Sequence, residues 1–586
     1  HERLSKRLAL AVFSSDALSS VAYATEEILL VLTLAGAAMV GYSIPLSLSI
    51  IGLLIILTMS YRQIIFEYPE GGGAYIVGKS NLGEWPGLVA AAALMIDYVL
   101  TVAVSVAAGM AALISAVPAL LPHREALCVA AILLVTVVNL RGVRESGQFF
   151  AVPTYIFIAT IAAMLGVGAV QILFGHAARV EPLPSMAPTE PLTLFLLLRA
   201  FSSGCTALTG VEVISNGVSA FKKPEPKNAA FTMIGMAAIL GTMFIGISAM
   251  AYYFGIVPKE DETVVSQIAR ATFGTGPLYF LVQASTMVIL ILAANSSFNG
   301  FPRLASILAR DSYMPHQMSM MGDRLVFSNG VIILGVFSCL LIVLFNGDTH
   351  ALIPLYAVGV FLSFTISQAG MVKRWLVKKG PHWEKKLLVN GIGAVTTAIA
   401  TLIIASTKFA HGAWIVIVLI PLLITFFRAI RSHYKAVSEQ VALSRGHRPP
   451  MPRRNIVVLP IGGVNRAVIR AVDYARSRSG DIRAVLVDVD PEETARVEIQ
   501  WAQWGCGVPL TVLPSPYRSV LSSLLDYLEQ VLQKDQECWV TVVIPEILPA
   551  RWWQNILHNQ RAFMLKGALL FKDRVILTDV PYHLTR

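Results

Sequence analysis

Charge is scarce in this sequence: Asp, Glu, Lys and Arg make up 14% of 586 residues, against about a quarter in a soluble globular protein. That scarcity excludes a water-facing surface of ordinary extent, and a mean hydropathy of +0.66 assigns most of the chain to lipid. Cysteine is sparse too. Cys128, Cys205, Cys339, Cys506 and Cys538 are scattered, without the close-spaced pair that a zinc or redox site needs. No nucleophile–base arrangement or metal motif stands in the C-terminal part, which leaves an enzyme reading without support. No small-residue cleavage site follows the first apolar run from Leu8, so the N-terminus is expected to be retained.

What charge there is leans positive, with a formal net charge of +10. In an apolar chain this reads as loops that hold membrane orientation, not as nucleic-acid contact. A span takes roughly 20 apolar residues, and about twelve stretches qualify, centred near residues 20, 52, 103, 132, 162, 206, 241, 288, 336, 362, 397 and 419. Lysine and arginine fall in alternate loops: Arg3 to Arg7, Arg62 and Lys79, Arg141 and Arg144, Lys222 to Lys227, Arg303 and Arg310, Lys373 to Lys386, and Arg428 onward. The loops between, such as Pro118 to Arg124 and Pro258 to Glu262, are poorer in both. The pattern predicts a multi-pass membrane protein with both termini cytoplasmic.

The expected division is a transmembrane transporter domain over 1–430, a basic linker over 431–454 and a cytoplasmic regulatory domain over 455–586. Strands are expected at Asn455–Pro460, Ile482–Asp490, Pro509–Leu513, Trp539–Pro545 and Val575–Val580, with helical patterns between them such as Ala467–Arg478 and Ser519–Gln533. That alternation predicts a mostly parallel α/β sheet.

Inside the apolar part, the first span is interrupted by polar residues from Phe13 to Glu27 around Asp16, and the sixth by Ser202 to Glu212 around Gly204 and Gly210. Paired interruptions in corresponding spans mark the binding site of a five-plus-five inverted repeat, where freed carbonyls and side-chain oxygens meet ions. Asp16 is the natural cation ligand; Glu26 and Glu27 are left outside the core site. On the third span Asp97, Thr101 and Ser105 step by four and share a face, with Tyr98 beside them, and the tenth span adds Tyr356. Asp97 and Glu212 are intramembrane carboxylates, functional by default, although a pair sharing a proton can be structural. The hydroxyls of Thr101, Ser105 and Thr209 also read as bonds to their own helices, and Tyr356 as a packed aromatic.

Two motifs carry a resemblance. Tyr68-Pro69-Glu70-Gly71-Gly72-Gly73-Ala74-Tyr75 with Gly78 to Gly83 resembles the hairpin after the second span of amino acid-polyamine-organocation permeases. Arg303 to Asp311 with Met314-Pro315 resembles that family's loop after the eighth span. Within this superfamily, Ser14-Ser15-Asp16-Ala17-Leu18-Ser19-Ser20 and Asp97-Tyr98 look like the KimA-type potassium/proton symporters of the KUP group. The resemblance implies an all-α membrane domain with a LeuT-type inverted repeat and alternating access. It also implies potassium at a site formed by Asp16, Tyr23, Thr209 and Tyr356, helped by Thr101 and Ser105. Asp97, Tyr98 and Glu212 become coupling or second-ion residues, and potassium and protons are the substrates, with no cofactor. The amino-acid carriers place a Gly-x-Gly-type break where this chain reads Ser14-Ser15-Asp16. A carboxylate there repels an anionic substrate and attracts a cation, by about 4 kcal/mol at roughly 4 Å and an effective dielectric of about 20.

The tail resembles universal-stress-protein-like domains, and in KimA-type transporters such tails bind cyclic di-AMP, which shuts transport down. The implied partners are thus membrane lipid, the cyclic dinucleotide and a second copy of the chain through the tail. Gly462, Gly463 and Asn465, ahead of a helix, are candidate phosphate contacts; Tyr517, Arg518 and His558 are further nucleotide candidates. Two other readings stay open: a carrier of a cationic amine, polyamine or amino acid, and a membrane-tethered nucleotide sensor that no longer transports.

Overall fold

A single apolar segment in lipid satisfies its own amides by coiling into a helix, and the chain does this repeatedly. The computed structural model describes residues 3–141, 147–174, 188–321, 327–442, 454–515, 519–535, 537–549 and 560–584. Among them, eleven helical stretches are long and apolar enough to cross a membrane, and Ser328–Leu344 is a shorter apolar helix at the place of the expected ninth span. The helices are α1 (Lys6–Ser19), α2 (Val21–Leu32), α3 (Ser43–Glu67), α4 (Ala74–Asn81), α5 (Glu84–Ala116), α6 (Arg124–Leu140), α7 (Gly147–Leu173) and α8 (Leu194–Gly204). They continue with α9 (Val213–Asn216), α10 (Glu225–Phe254), α11 (Val264–Phe273), α12 (Pro277–Arg310), α13 (Ser328–Leu344), α14 (Thr349–Val377), α15 (Trp383–Lys408) and α16 (Ala413–Val441).

Burial separates a centre from a rim. The most apolar stretch of α5 is 78% buried and that of α14 72%, whereas those of α6 and α7 are 22% buried and face lipid. The centre holds the polar residues, since an intramembrane polar group is tolerated only where protein surrounds it. Close approach of α14 to α5 depends on Gly359, where a Cβ would sit 3.1 Å from the Ala93 carbonyl oxygen. One turn earlier on α14 this brings Tyr356 against α5. The hairpin and the loop after α12, which carry the two permease-like motifs, are tied together: Asp311 accepts from the Tyr75 hydroxyl at 2.5 Å and pairs with Lys79 at 2.6 Å.

The chain divides into two compact units between Val441 and Ala442. Helix α16 runs past residue 430 because Arg428, Arg431 and Lys435 favour helix and find partners: Arg431 with Glu84 at 2.8 Å, Lys435 with Glu439 at 3.8 Å.

In the second unit, β1 (Arg454–Ile461), α17 (Arg466–Arg476), β2 (Asp481–Asp488), α18 (Pro491–Trp504), β3 (Leu510–Pro514), α19 (Val520–Lys534), β4 (Cys538–Leu548), α20 (Gln560–Leu569) and β5 (Val575–His583) alternate. All strand pairs are parallel and the order is β3-β2-β1-β4-β5. Alternate residues of β1 go to opposite faces: Val457 and Leu459 pack with α17, Ile456 and Val458 with α19. A parallel sheet needs this double cover.

Candidate functional site

Local chemistry breaks the first span later than the sequence pattern indicates. Ser14, Ser15 and Asp16 are helical; α1 ends at Ser19 and α2 begins at Val21. Hydroxyls that bond a carbonyl three residues back compete with the backbone ladder, and two do so in succession: Ser19 to the Asp16 carbonyl at 2.7 Å, Ser20 to that of Ala17 at 2.6 Å. Ser20 keeps near-helical torsions, φ −62 and ψ −23.

The sixth span opens more widely. It tightens to a 3-10 turn over Cys205–Leu208, becomes extended at Thr209 (φ −67, ψ 146) and passes Gly210 at φ +78 before α9. The two breaks touch: Ser20 also donates to the Ala207 carbonyl at 3.1 Å. A Cβ at Gly210 would lie 2.8 Å from the Asp16 carboxyl carbon and 2.9 Å from the Ala17 nitrogen. Only glycine fits the left-handed torsion and this contact together.

Asp16 is therefore buried where the breaks meet. Its carboxylate accepts from Ser296 of α12 at 3.4 Å. The Tyr23 hydroxyl neighbours Thr209, and Tyr23 lies within electrostatic reach of Asp16 and Asp97. Thr101 donates to the Tyr356 hydroxyl at 2.9 Å, both buried. Ser105 is buried one turn along the same face of α5. Asp97 and Glu212 are buried, within electrostatic reach of each other and of Asp16. One oxygen of each, Asp97 Oδ1 and Glu212 Oε2, has no hydrogen-bond partner among the described residues. Tyr98 packs on Gly300 of α12 and lines a cavity of about 200 Å³ with Ser15, Asn216, Ser296 and Arg303. Three carboxylates, three tyrosines and several hydroxyls thus meet in one buried region, an arrangement that can hold a cation and exchange a proton.

Ser296 and Asn295 escaped the sequence reading, and Arg303 entered it only as a loop charge and as part of a permease-like motif. The polar run Asn295-Ser296-Ser297 in the eighth span was the available signal. Glu26 and Glu27 sit apart from Asp16, at His350: Glu27 contacts its Nδ1 at 2.6 Å and Glu26 its Nε2 at 3.6 Å.

In the second unit, Gly462 and Gly463 follow β1 at its carboxyl end, beside β4, where the strand order reverses; ligands of doubly wound sheets bind at such a point. The Asn465 side chain caps α17, accepting from the Val468 amide at 3.0 Å. Tyr517, Arg518 and His558 lie outside the described residues.

Residues 6–427 match the amino acid permease family, and residues 453–582 match the KimA potassium transporter C-terminal domain. The potassium transporter KimA of Bacillus subtilis (strain 168) is 45% identical over 585 residues, 99% of this chain and 96% of that protein. The low-affinity putrescine importer PlaP of Escherichia coli (strain K12) is 22% identical over 345 residues, 55% of this chain and 71% of its own length. The solved Eremococcus coleocola manganese transporter superposes with a TM-score of 0.41 at 13% identity, over 74% of this chain and 96% of that one.

Proposed function

The chain belongs to the amino acid permease family and, within it, to the KimA potassium transporters, and from that premise we propose that it takes up potassium by alternating access, driven by protons. It is a multi-pass membrane transporter and not an enzyme. The observation that carries the reading is the buried Asp16 carboxylate at the meeting point of two broken spans, with Gly210 against it.

The mechanism follows from the oxygens around it. The Asp16 and Ala17 carbonyls already take serine hydroxyls, so side chains carry most of the ligation: the Asp16 carboxylate, the Tyr23, Thr209 and Tyr356 hydroxyls, and Thr101 and Ser105 behind them. Together they replace the hydration shell of a small cation. Asp97 and Glu212 add negative charge that one cation does not neutralise, and a proton on one of them relieves it. Glu212, on the freed backbone between Gly210 and α9, is the coupling carboxylate in this reading; Asp97 and Tyr98 join the ion path to the inner cavity.

The fold behind this motion is a LeuT-type five-plus-five inverted repeat in the bacterial cell membrane, with both termini cytoplasmic. The tail is a universal-stress-protein-like domain that dimerises and binds cyclic di-AMP, which inhibits uptake. Gly462 and Gly463 at the strand-order reversal support phosphate contact.

The test is uptake by purified protein in liposomes, comparing potassium, rubidium and putrescine with and without a pH gradient. Potassium and rubidium uptake that rises with the gradient is expected; preference for the amine moves the cargo to organic cations. Asp16→Asn is expected to abolish potassium uptake, and uptake at the wild-type rate overturns the ion site.

A further inference from the structure

A second run of buried polar side chains lies between α3, α14 and α15. Ser60, Gln368 and Asn390 are fully buried, and Trp375 is nearly so. They form one network: Ser60 donates to Gln368, Asn390 donates to Ser60 at 2.6 Å and to Gln368 at 2.8 Å, and the Trp375 indole donates to Asn390 at 2.9 Å and Gln63 at 3.1 Å. Below it, Gln63, Glu67, Trp375 and Lys386 line a cavity of about 370 Å³. Glu67 there also pairs with Arg374 at 2.8 Å, at the ends of α3 and α14.

Helix packing in a membrane accounts for the paired members, since amides and hydroxyls across an interface bond one another. It does not account for a further set of buried polar atoms. Glu212 Oε2, Tyr61 Oη, Ser367 Oγ and Gln368 Nε2 are all buried and all lack a well-formed hydrogen bond. Tyr61 lies within electrostatic reach of Glu212, and its hydroxyl neighbours Ser367. The charged and titratable groups facing Glu212 come from three elements: Asp16 of α1, Asp97 and Tyr98 of α5, and Tyr61 of α3. Tyr61 follows Ser60 on α3, Ser367 precedes Gln368 on α14, and the Tyr61 ring packs edge-on against Phe364 of α14 at 5.6 Å. An uncharged buried polar group without a partner costs about 1–3 kcal/mol, and a buried water is held where two to four such groups converge.

We propose that this column, from Glu212 through Tyr61 and Ser367 to Gln368, Ser60 and Asn390, passes the coupled proton to the cavity at Gln63 and Glu67 along a short file of water. The cation leaves separately, through the cavity at Ser296, Asn216 and Arg303. The step balances without any electron transfer. The carboxyl O–H of Glu212 breaks and its proton bonds to a neighbouring water or to the Tyr61 oxygen. O–H bonds are then exchanged along the hydroxyls and waters, the amides holding the waters in line, until a proton leaves at the far end and Glu212 remains a carboxylate. Two routes keep the proton from having to pass the bound cation, whose charge repels it.

The inference rests on Glu212 as the coupling carboxylate, and the experiment separates the two. Full-length protein in liposomes with an internal pH dye is assayed for proton-driven potassium uptake and for rubidium–potassium exchange at equal pH. The Tyr61→Phe/Ser367→Ala variant is expected to slow driven uptake about tenfold or more, as loss of a proton relay does, while exchange stays near wild type. The single variants Ser367→Ala and Ser367→Thr are compared alongside: Ser367→Thr, which keeps the hydroxyl, is expected to retain the driven uptake that Ser367→Ala loses. Driven uptake at the wild-type rate, or equal loss of driven uptake and exchange, overturns the route. Should the double variant not reach the membrane, Ser367→Ala alone carries the same test. Glu212→Gln with proton coupling intact would instead remove the premise, whatever the column variants do.

Discussion

The first and sixth spans are both interrupted by small polar residues, yet they open to different degrees. The first lapses at Ser20 alone and keeps near-helical torsions, while the sixth leaves the α-helix from Cys205 to Glu212. Serine hydroxyls explain the first: they bond the carbonyls three residues back and weaken the ladder without redirecting the chain. Glycine and threonine explain the second. Thr209 takes extended torsions that suit a β-branched residue, and Gly210 the left-handed ones that most residues avoid. A sequence that is polar in the same way thus yields one break whose carbonyls are already occupied and another that exposes backbone. The site is accordingly asymmetric, with a carboxylate from the closed break facing a glycine from the open one.

Three substitutions break or sharpen that contrast. Gly210→Ala is expected to have the largest effect. Its methyl would meet the Asp16 carboxylate, and the left-handed torsion adds about 1–2 kcal/mol, so potassium uptake in liposomes is expected to fall by about tenfold or more with the protein still inserted. Uptake at the wild-type rate would mean the open break does not bear on Asp16. Thr209→Val keeps the extended backbone and removes the hydroxyl that neighbours Tyr23. Its expected result is a half-saturating potassium concentration raised about tenfold, the equivalent of about 1.4 kcal/mol, with an unchanged melting temperature. Ser20→Ala removes the bonds to the Ala17 and Ala207 carbonyls. The rise in half-saturation is expected to be about threefold, since a net hydrogen bond contributes about 0.5–1.5 kcal/mol and the freed ladder partly re-forms. If Ser20→Ala proves worse than Gly210→Ala, the ranking of the two breaks is reversed.

Much of this was legible before any fold was seen, and the reasons lie in particular residues. Asp16, Asp97 and Glu212 stood out because a carboxylate in an apolar run is expensive unless enclosed, and the structure encloses all three. The repeating strand and helix periods of the tail are local signals, and the five strands form at the expected places. Ser296 was harder to read, because a serine in a long helix reads as a hydroxyl bonded to its own backbone; it makes that bond, to Ala293 at 2.7 Å, as well as the contact to Asp16. The column at Ser60, Gln368 and Asn390 was hidden for another reason. Each residue is a single polar position on a different helix, and no local pattern joins them.

The sequence by itself determined that the chain crosses a membrane many times, that two spans are interrupted and that an α/β unit follows, because apolar length, polar interruption and periodicity act over a few neighbouring residues. Tertiary structure alone decided where the first break falls, that Gly210 lies on Asp16, and which hydroxyl meets which across α5 and α14. Those outcomes depend on helix contacts between residues far apart in the chain, such as Gly359 with Ala93 or Ser20 with Ala207, whose close approach is set by side-chain volume at the meeting point and not by either segment alone.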